Sequence, residues 1–314
     1  MLALIAMVIF DLMLLIPKTL FTLGILRFLM GFPFALITTG NSALRTDIIP
    51  EDKRLDGFSI TSIATMFSGL VTGPNIGYFI LGLTGFDFLY PMAAVMLSAA
   101  ALFFLTMKFE DIRTDRISFS LSGLFEPKII LIAAVLGINF IGWPGILNFG
   151  PLYAQEIGLP FKGYLFTAYG VGLLLSRPII KFLQRDGMPL FTNALGVMAT
   201  LTGNAIIGFV PGPAGFMTGL VFLGFGYGQC FAVLQKLAFD LVRPERRGRA
   251  SGTIYISQDM GSTTGRYLLG YTAQALGTYN TNYRIVAGIT IIPLLLLQFV
   301  TLPDYRKKIS SKNL

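Results

Sequence analysis

Gly69-Leu-Val-Thr-Gly73-Pro74-Asn-Ile-Gly77-Tyr78 returns later in the chain as Gly261-Ser-Thr-Thr-Gly265-Arg266-Tyr-Leu-Leu-Gly270-Tyr271, with the last glycine shifted by one position. Two further pairs stand in the same order, at an offset of about 193 residues. Arg27-Phe-Leu-Met-Gly31-Phe32 aligns with Leu220-Val-Phe-Leu-Gly224-Phe225. Asp47-Ile-Ile-Pro50-Glu51-Asp52-Lys53-Arg54 aligns, after one inserted residue, with Asp240-Leu-Val-Arg-Pro244-Glu245-Arg246-Arg247. One such match means little; three in order mean two halves built alike and running the same way.

What the halves are made of follows from composition. Of the 314 residues, 54% are hydrophobic and 13% charged, against about 25% charged in a soluble domain. Ile129 to Ile138, Met217 to Phe225 and Ile285 to Leu297 are apolar with little polar face at any period. Helices hydrophobic all round sit in lipid or in a very large core, and this chain is too short for such a core. Stretches long enough to cross about 30 Å of hydrocarbon fall near residues 1–16, 19–45, 57–81, 88–107, 128–153, 163–183, 189–210, 216–240, 250–275 and 283–302. Barrel strands would alternate apolar and polar residues; these do not. The expected fold is an all-α membrane protein with about ten transmembrane helices. Parallel repeats of membrane helices are a transporter architecture, with the solute site between the halves.

Charge sets the orientation. Alternate loops and the C-terminal tail hold 18 of the 24 Lys and Arg residues, and the opposite loops hold Lys18 and Lys162. By the positive-inside rule the basic side, including the C-terminus, is cytoplasmic. The net charge of +8 is thus a topology signal, and no nucleic-acid partner is expected; the lipid bilayer is. A single cysteine and no histidine exclude an internal disulfide and a Cys/His metal site, and no cofactor is expected. The polar stretch before Lys128 reads as a cytoplasmic linker. It divides the chain into an N-terminal half (residues 1–107, four helices), the linker (108–127) and a C-terminal half (128–314, six helices and a basic tail). Four helices against six, with a short first span that has no basic flank, carry the expectation that two helices are missing from the front. A signal-peptide reading of Met1 to Ile16 finds no basic n-region and no small-residue cleavage site.

Charges in mid-membrane are functional candidates by default. Arg27 lies roughly 12 Å below the outer surface, and its counterpart in the second half is Leu220; a substrate or proton-coupling role competes with a structural ion pair. Asp11, roughly 9 Å deep on the neighbouring helix, is its candidate partner, as a coupling carboxylate or a fixed pair. Asp259 is also one-sided, since the aligned position holds Met66 or Phe67. It reads as a proton site or an interhelix polar residue, with Arg266 two turns along the same face. Lys236 and Asp240, spaced i,i+4, read as a structural pair. Gly69, Gly73 and Gly77 recur at i,i+4,i+8 and permit close packing, while Pro74 removes a helix hydrogen bond and bends the backbone.

These motifs resemble the major facilitator superfamily, whose members have two six-helix halves. Arg27-x-x-x-Gly31 is similar to a motif in that family's fourth helix, and Asp47-x-x-Pro50-x-x-Lys53-Arg54 to the loop after it. Gly69-x-x-x-Gly73-Pro74-x-x-Gly77 resembles its antiporter motif, associated with proton-coupled efflux, with Tyr78 in place of the usual final glycine. Ser176-Arg177-Pro178 through Leu183, Arg185 and Gly187 resembles the loop between helices eight and nine, although Lys181 and Gln184 replace a glycine and an aspartate. The family's loop between helices two and three has no counterpart here. The resemblance implies cytoplasmic gating loops that include Asp47, Arg54, Arg177, Arg185, Asp240 and Arg247. It also implies a polar-aromatic cavity with Asn41, Asn139, Trp143, Asn148, Tyr227 and Gln229 as lining candidates, each of which is equally at home in an interhelix hydrogen bond.

The function these readings favour is alternating-access transport, as proton-coupled efflux of a small amphipathic or anionic solute such as a drug or a metal-chelating metabolite, by a monomer in the cell membrane. A proton symporter importing a nutrient is the near alternative. A membrane-embedded transferase is the distant one, because the acidic groups Asp47/Glu51/Asp52 and Glu110/Asp111 sit among loop cations. A channel would need a filter-like loop or a ring of charges, and neither is present in the sequence.

Overall fold

The computed structural model describes residues 2–16, 19–48, 61, 64–65, 67–106, 125–185, 189–243 and 246–310, and these contain helices and turns but no strand. The chain divides into two compact units, Met1–Arg116 and Ile117–Leu314. The division falls inside the charged stretch read as a linker.

In the first unit, α1 (Leu2–Met13) packs against α2 (Leu20–Ile48) and α4 (Phe86–Thr106), and α3 (Gly73–Thr84) packs against α4. Pro74 has no N–H to offer Leu70, so the helix entering α3 widens. Ser68–Thr72 forms one π turn, with the Gly73 N–H bonded to the Ser68 carbonyl five residues back. The expected bend at Pro74 therefore takes the form of an extra residue in one turn. α3 stops at Gly85, whose φ of 75° suits glycine.

The second unit has six helical passages among its described residues. The first is broken. A 3₁₀ turn (Pro127–Ile129) leads into α5 (Ile130–Asn139), a second 3₁₀ turn (Phe140–Gly142), α6 (Trp143–Leu147) and α7 (Gly150–Glu156). The others are α8 (Tyr164–Arg185), α9 (Pro189–Phe209), α10 (Pro213–Leu241), α11 (Arg247–Leu276) and α12 (Asn280–Leu296), which runs through a π turn (Leu297–Thr301) into α13 (Leu302–Ser310).

Two prolines explain the breaks. Pro144 cannot donate to Phe140, and its ring crowds that carbonyl. The Trp143 N–H bonds Phe140 O instead, which leaves Asn139 O without its usual donor. The buried Tyr227 hydroxyl of α10 donates to it at 3.2 Å. Pro151 likewise withholds a donor from Leu147. At that second break the Asn148 and Phe149 N–H groups both bond Pro144 O, so Gly145 O is released. The buried Tyr283 hydroxyl of α12 donates to it at 2.7 Å. Each broken turn thus has one carbonyl capped by a tyrosine from another helix.

Glycines set the helix crossings. A Cβ at Gly224 would overlap the Tyr169 carbonyl of α8, and one at Gly172 would overlap Val221 O of α10. Gly203 and Gly219 bring α9 against α10 in the same way. α11 lies on α5, where a Cβ at Gly261 would overlap Gly137 O and one at Gly265 would overlap Ile141 O; the Ser257 hydroxyl donates to Ala133 O across the same contact. Gly69 and Gly77 differ from their second-half counterparts: a Cβ at either would meet nothing within 4 Å, and one at Gly73 would meet only its own widened turn.

Among the described residues five stretches are long and apolar enough to cross a membrane by length and composition: Leu20–Thr38, Phe86–Thr106, Pro127–Leu147, Pro213–Leu241 and Asn280–Ser310. Leu2–Met13 and Ala194–Phe209 are apolar but shorter. α8 and α11 are less apolar: Arg177, Lys181 and Arg185 lie in one, and serine, threonine and glutamine join Arg247, Arg249, Asp259 and Arg266 in the other.

Gly261→Ala should destabilise the second unit by roughly 1–3 kcal/mol, the usual cost of overpacking, whereas Gly77→Ala should not lower thermal stability. Melting curves of the purified protein check both. Tyr227→Phe keeps the ring and removes the cap on Asn139 O, with an expected cost of about 1–2 kcal/mol. Tyr283→Phe should behave alike in the same assay.

Candidate functional site

Most helices present apolar side chains outward. In the first unit α2 exposes Phe21, Phe28, Phe32 and Leu36, and α4 exposes Val95, Met96, Leu102 and Phe103. In the second, α8 exposes Val171, Leu174 and Leu175, and α12 exposes Ile291, Ile292 and Leu295. This is the surface that lipid accepts.

α11 breaks the pattern. It is 30 residues long, about 45 Å at 1.5 Å per residue. Its inner face is Ala250, Thr253, Ile254, Gly261, Ser262, Gly265 and Leu269, all buried. Its outer face presents Tyr255, Asp259, Thr263, Arg266, Tyr267 and Tyr271, all exposed. These follow i, i+4, i+8, i+11, i+12, i+16, one side of a helix. Tyr267 and Tyr271 are 78% and 73% exposed. Asp259 and Arg266 flank the helix midpoint and are close enough for the arginine to act on the carboxylate electrostatically. A polar arc of this length facing hydrocarbon is costly, so it suits a water-accessible path. The sequence-predicted face with Asp259 and Arg266 together is present.

In the first unit Asp11 is 8% exposed and feels the charge of Arg27, which is itself exposed on α2. The structure therefore brings these two candidates together on packed helices. Asn41 is exposed on the same helix.

The six cavity-lining candidates separate. Asn148 is exposed and Trp143 half-buried, but Asn139, Tyr227 and Gln229 are at most 2% exposed. Asn139 and Tyr227 take up interhelix hydrogen bonds at the proline break, the alternative that the sequence left open for them. Asn139 supplies the carbonyl that Tyr227 caps, and its Oδ1 accepts from the Thr200 hydroxyl at 2.9 Å. Asn204 Nδ2 donates to Thr200 O at 2.8 Å. Around them Trp143 packs edge-on against Tyr227 and Tyr169, with ring centroids 5.1 and 5.9 Å away. Asn139 Nδ2 is buried without a hydrogen-bond partner among the described residues, as is Gln258 Oε1 on the adjoining α11.

The cytoplasmic gating candidates are described in part. Asp47 lies at the end of α2 and Arg185 at the end of α8, with side chains outside the described residues; Arg54 lies outside them altogether. Arg177 is half-buried near Tyr169, and Arg247 is exposed. Asp240 accepts from the Tyr305 hydroxyl at 3.2 Å, which ties α10 to α13; Lys236 is exposed.

Sequence reasoning missed Glu126, which it assigned to the linker. The residue is 1% exposed. Its N–H donates to the Thr253 hydroxyl at 2.8 Å, and its Oε2 lies 3.7 Å from the Arg246 guanidinium. It therefore joins the starts of the first passage and α11. The signal was present: an acidic residue directly before Pro127 is a helix-start pattern. Glu156 was also missed. Its carboxylate takes the Thr278 hydroxyl at 2.6 Å and the Tyr279 N–H at 3.0 Å, favourable at the N-terminus of α12.

Among the described residues no group of three or more acidic, histidine or cysteine side chains could hold a metal ion. A solved structure of a variant of the E. coli fucose:proton symporter FucP superposes with a TM-score of 0.58 at 14% identity, covering 95% of this chain and 82% of that one. A second, of FucP in the outward conformation, gives 0.57 at 14% identity over 88% and 75%. At this identity the likeness is one of fold. No curated protein matches in sequence. The sequence profile of the Major Facilitator Superfamily matches residues 1–265 and 190–313, which together span the chain. The two-unit helical architecture, the transporter fold of its structural neighbours and this match make the chain a member of the Major Facilitator Superfamily, a multi-pass membrane transporter of small molecules.

Proposed function

We infer that the protein is a proton-coupled exporter of a small amphipathic solute, moving it by alternating access along a path lined by the outer face of α11. The observation that carries this reading is the contrast between α11 and its neighbours. Where they present Leu, Ile, Val and Phe, α11 presents Asp259, Arg266, Thr263 and three tyrosines.

Asp259 is the coupling candidate in this reading. A carboxylate near mid-membrane can be neutralised by a proton, which removes the cost of moving its surroundings between water and protein. Arg266, two turns along the same face, is the opposite charge that a solute would meet beside it. Arg27 and Asp11 read as the supporting pair of the first unit: the buried member is the carboxylate, as befits a fixed structural partner. The positive-inside distribution supports a cytoplasmic C-terminus, and the reading is of a monomer in the cell membrane.

Export is favoured by Gly69-x-x-x-Gly73-Pro74-x-x-Gly77, the antiporter-like run around the π turn. Proton symport into the cell is the second reading, favoured by the structural neighbours, one of which is named as a fucose:proton symporter. Inside-out vesicles with an acidic lumen separate the two: the exporter accumulates an amphipathic dye in the lumen, and a symporter expels it. Asp259→Asn should reduce gradient-driven movement to that of protein-free vesicles. Asp11→Asn should keep gradient-driven movement while lowering the melting temperature. Loss of coupling in Asp11→Asn alone would transfer the role to Asp11.

A further inference from the structure

Asp259 and Arg266 are the charged residues of α11 between Tyr255 and Tyr271. Seven residues separate them, two turns less about 20°, so they share one exposed face at a Cα separation of roughly 10 Å. We propose that this face selects a zwitterionic amphipathic solute, whose anionic group meets Arg266 and whose cationic group meets Asp259; this rests on α11 lining the solute path.

The argument is one of charge balance. Empty, the face carries one charge of each sign. A singly charged solute would take one partner and leave the other unmatched when alternating access closes the path to water, where an uncompensated charge is costly. A solute carrying both signs at a matching distance gives each side chain a counter-charge and leaves no net charge behind. Arginine also offers a planar fork of donors suited to a carboxylate. The tyrosines fit the rest of such a molecule. Tyr255 lies one turn before Asp259, Tyr267 is adjacent to Arg266 and Tyr271 one turn beyond it. Their exposed rings offer an apolar face with a polar tip, and Thr263 stands between the charges with a hydroxyl that can donate or accept. These residues favour a ring-bearing body of about the length of the charge separation over a compact amino acid or a simple anion.

Two related dyes test this. Rhodamine B carries a carboxylate and a cationic ring system, while its ethyl ester keeps only the cation. Binding of each to the purified full chain is read by fluorescence polarisation. The expected result is that the acid binds about tenfold more tightly than the ester. Arg266→Gln should abolish that preference and Arg266→Lys restore part of it. Asp259→Asn should weaken both dyes and leave their ratio intact, since both keep the cation. Equal affinity of acid and ester for the unaltered protein overturns the proposal, and is the result if another protein segment covers the face. A preference that survives Arg266→Gln in protein that still melts cooperatively also overturns it. Gradient-driven movement of rhodamine B in vesicles is read separately. Selective binding without movement leaves the zwitterion site standing and sinks the carrier reading alone.

Discussion

Lipid supplies no hydrogen bonds, so each backbone carbonyl that loses its helical donor must find another inside the protein. That constraint explains much of the second unit. Pro144 and Pro151 each withdraw a donor from the first passage, and the chain answers with a 3₁₀ turn, a doubled bond to Pro144 O and two tyrosine hydroxyls. The tyrosines are long enough to reach from α10 and α12 and apolar enough to travel through a packed interior. Once Tyr227 is committed to Asn139 O, the residues around it are committed as well: Asn139, Thr200 and Asn204 form a run of bonds across α5 and α9. The polar interior of this unit is therefore first a repair of its own backbone.

Glycine makes that repair possible. Without a hydrophobic force between helices, close backbone approach supplies the packing energy. Carbonyls of one helix meet glycines of the next at the α8–α10, α9–α10 and α5–α11 crossings. The third crossing also frees α11. Its closest approach to α5 runs through Gly261 and Ser257, with Ser257 bonded to Ala133 O. The remaining arc is released from packing duty and can carry charge and phenol instead of leucine. Packing and the solute-facing surface are thus two sides of one helix.

Sequence conveyed the helical membrane fold, and it put Asp259 and Arg266 on one helix face, because both rest on spacing along a single segment. The close packing expected at Gly69, Gly73 and Gly77 is found instead, among the described residues, at their counterparts Gly261 and Gly265. What sequence could not convey was azimuth. Gln229 and Tyr227 sit on a helix apolar nearly all round, where no amphipathic pattern says which side faces inward; both proved interior. The tyrosine caps were illegible because they join residues 88 and 138 positions apart. Glu126 was hidden differently: its charge merged with the polar linker before it, and the proline that follows was the better guide.

The duplicated motif has diverged at one telling position. Pro74 in the first half aligns with Arg266 in the second. The first-half residue distorts its helix into a π turn, while among the described residues a Cβ at Gly69 or Gly77 would meet nothing within 4 Å. The second-half residue leaves its helix regular and adds a charge, while the matching glycines are pressed against a carbonyl. A proline there in α11 would remove the N–H that bonds Ser262 O and crowd that carbonyl, on the face that holds α11 to α5. An arginine in place of Pro74 would restore the donor to Leu70 and with it the regular turn. Each half therefore holds at this position the residue its own packing tolerates. Of the aligned glycines, Gly261 and Gly265 serve as scaffold while Gly69 and Gly77 meet no neighbour among the described residues, and the charge at this position belongs to the copy whose helix is otherwise secured.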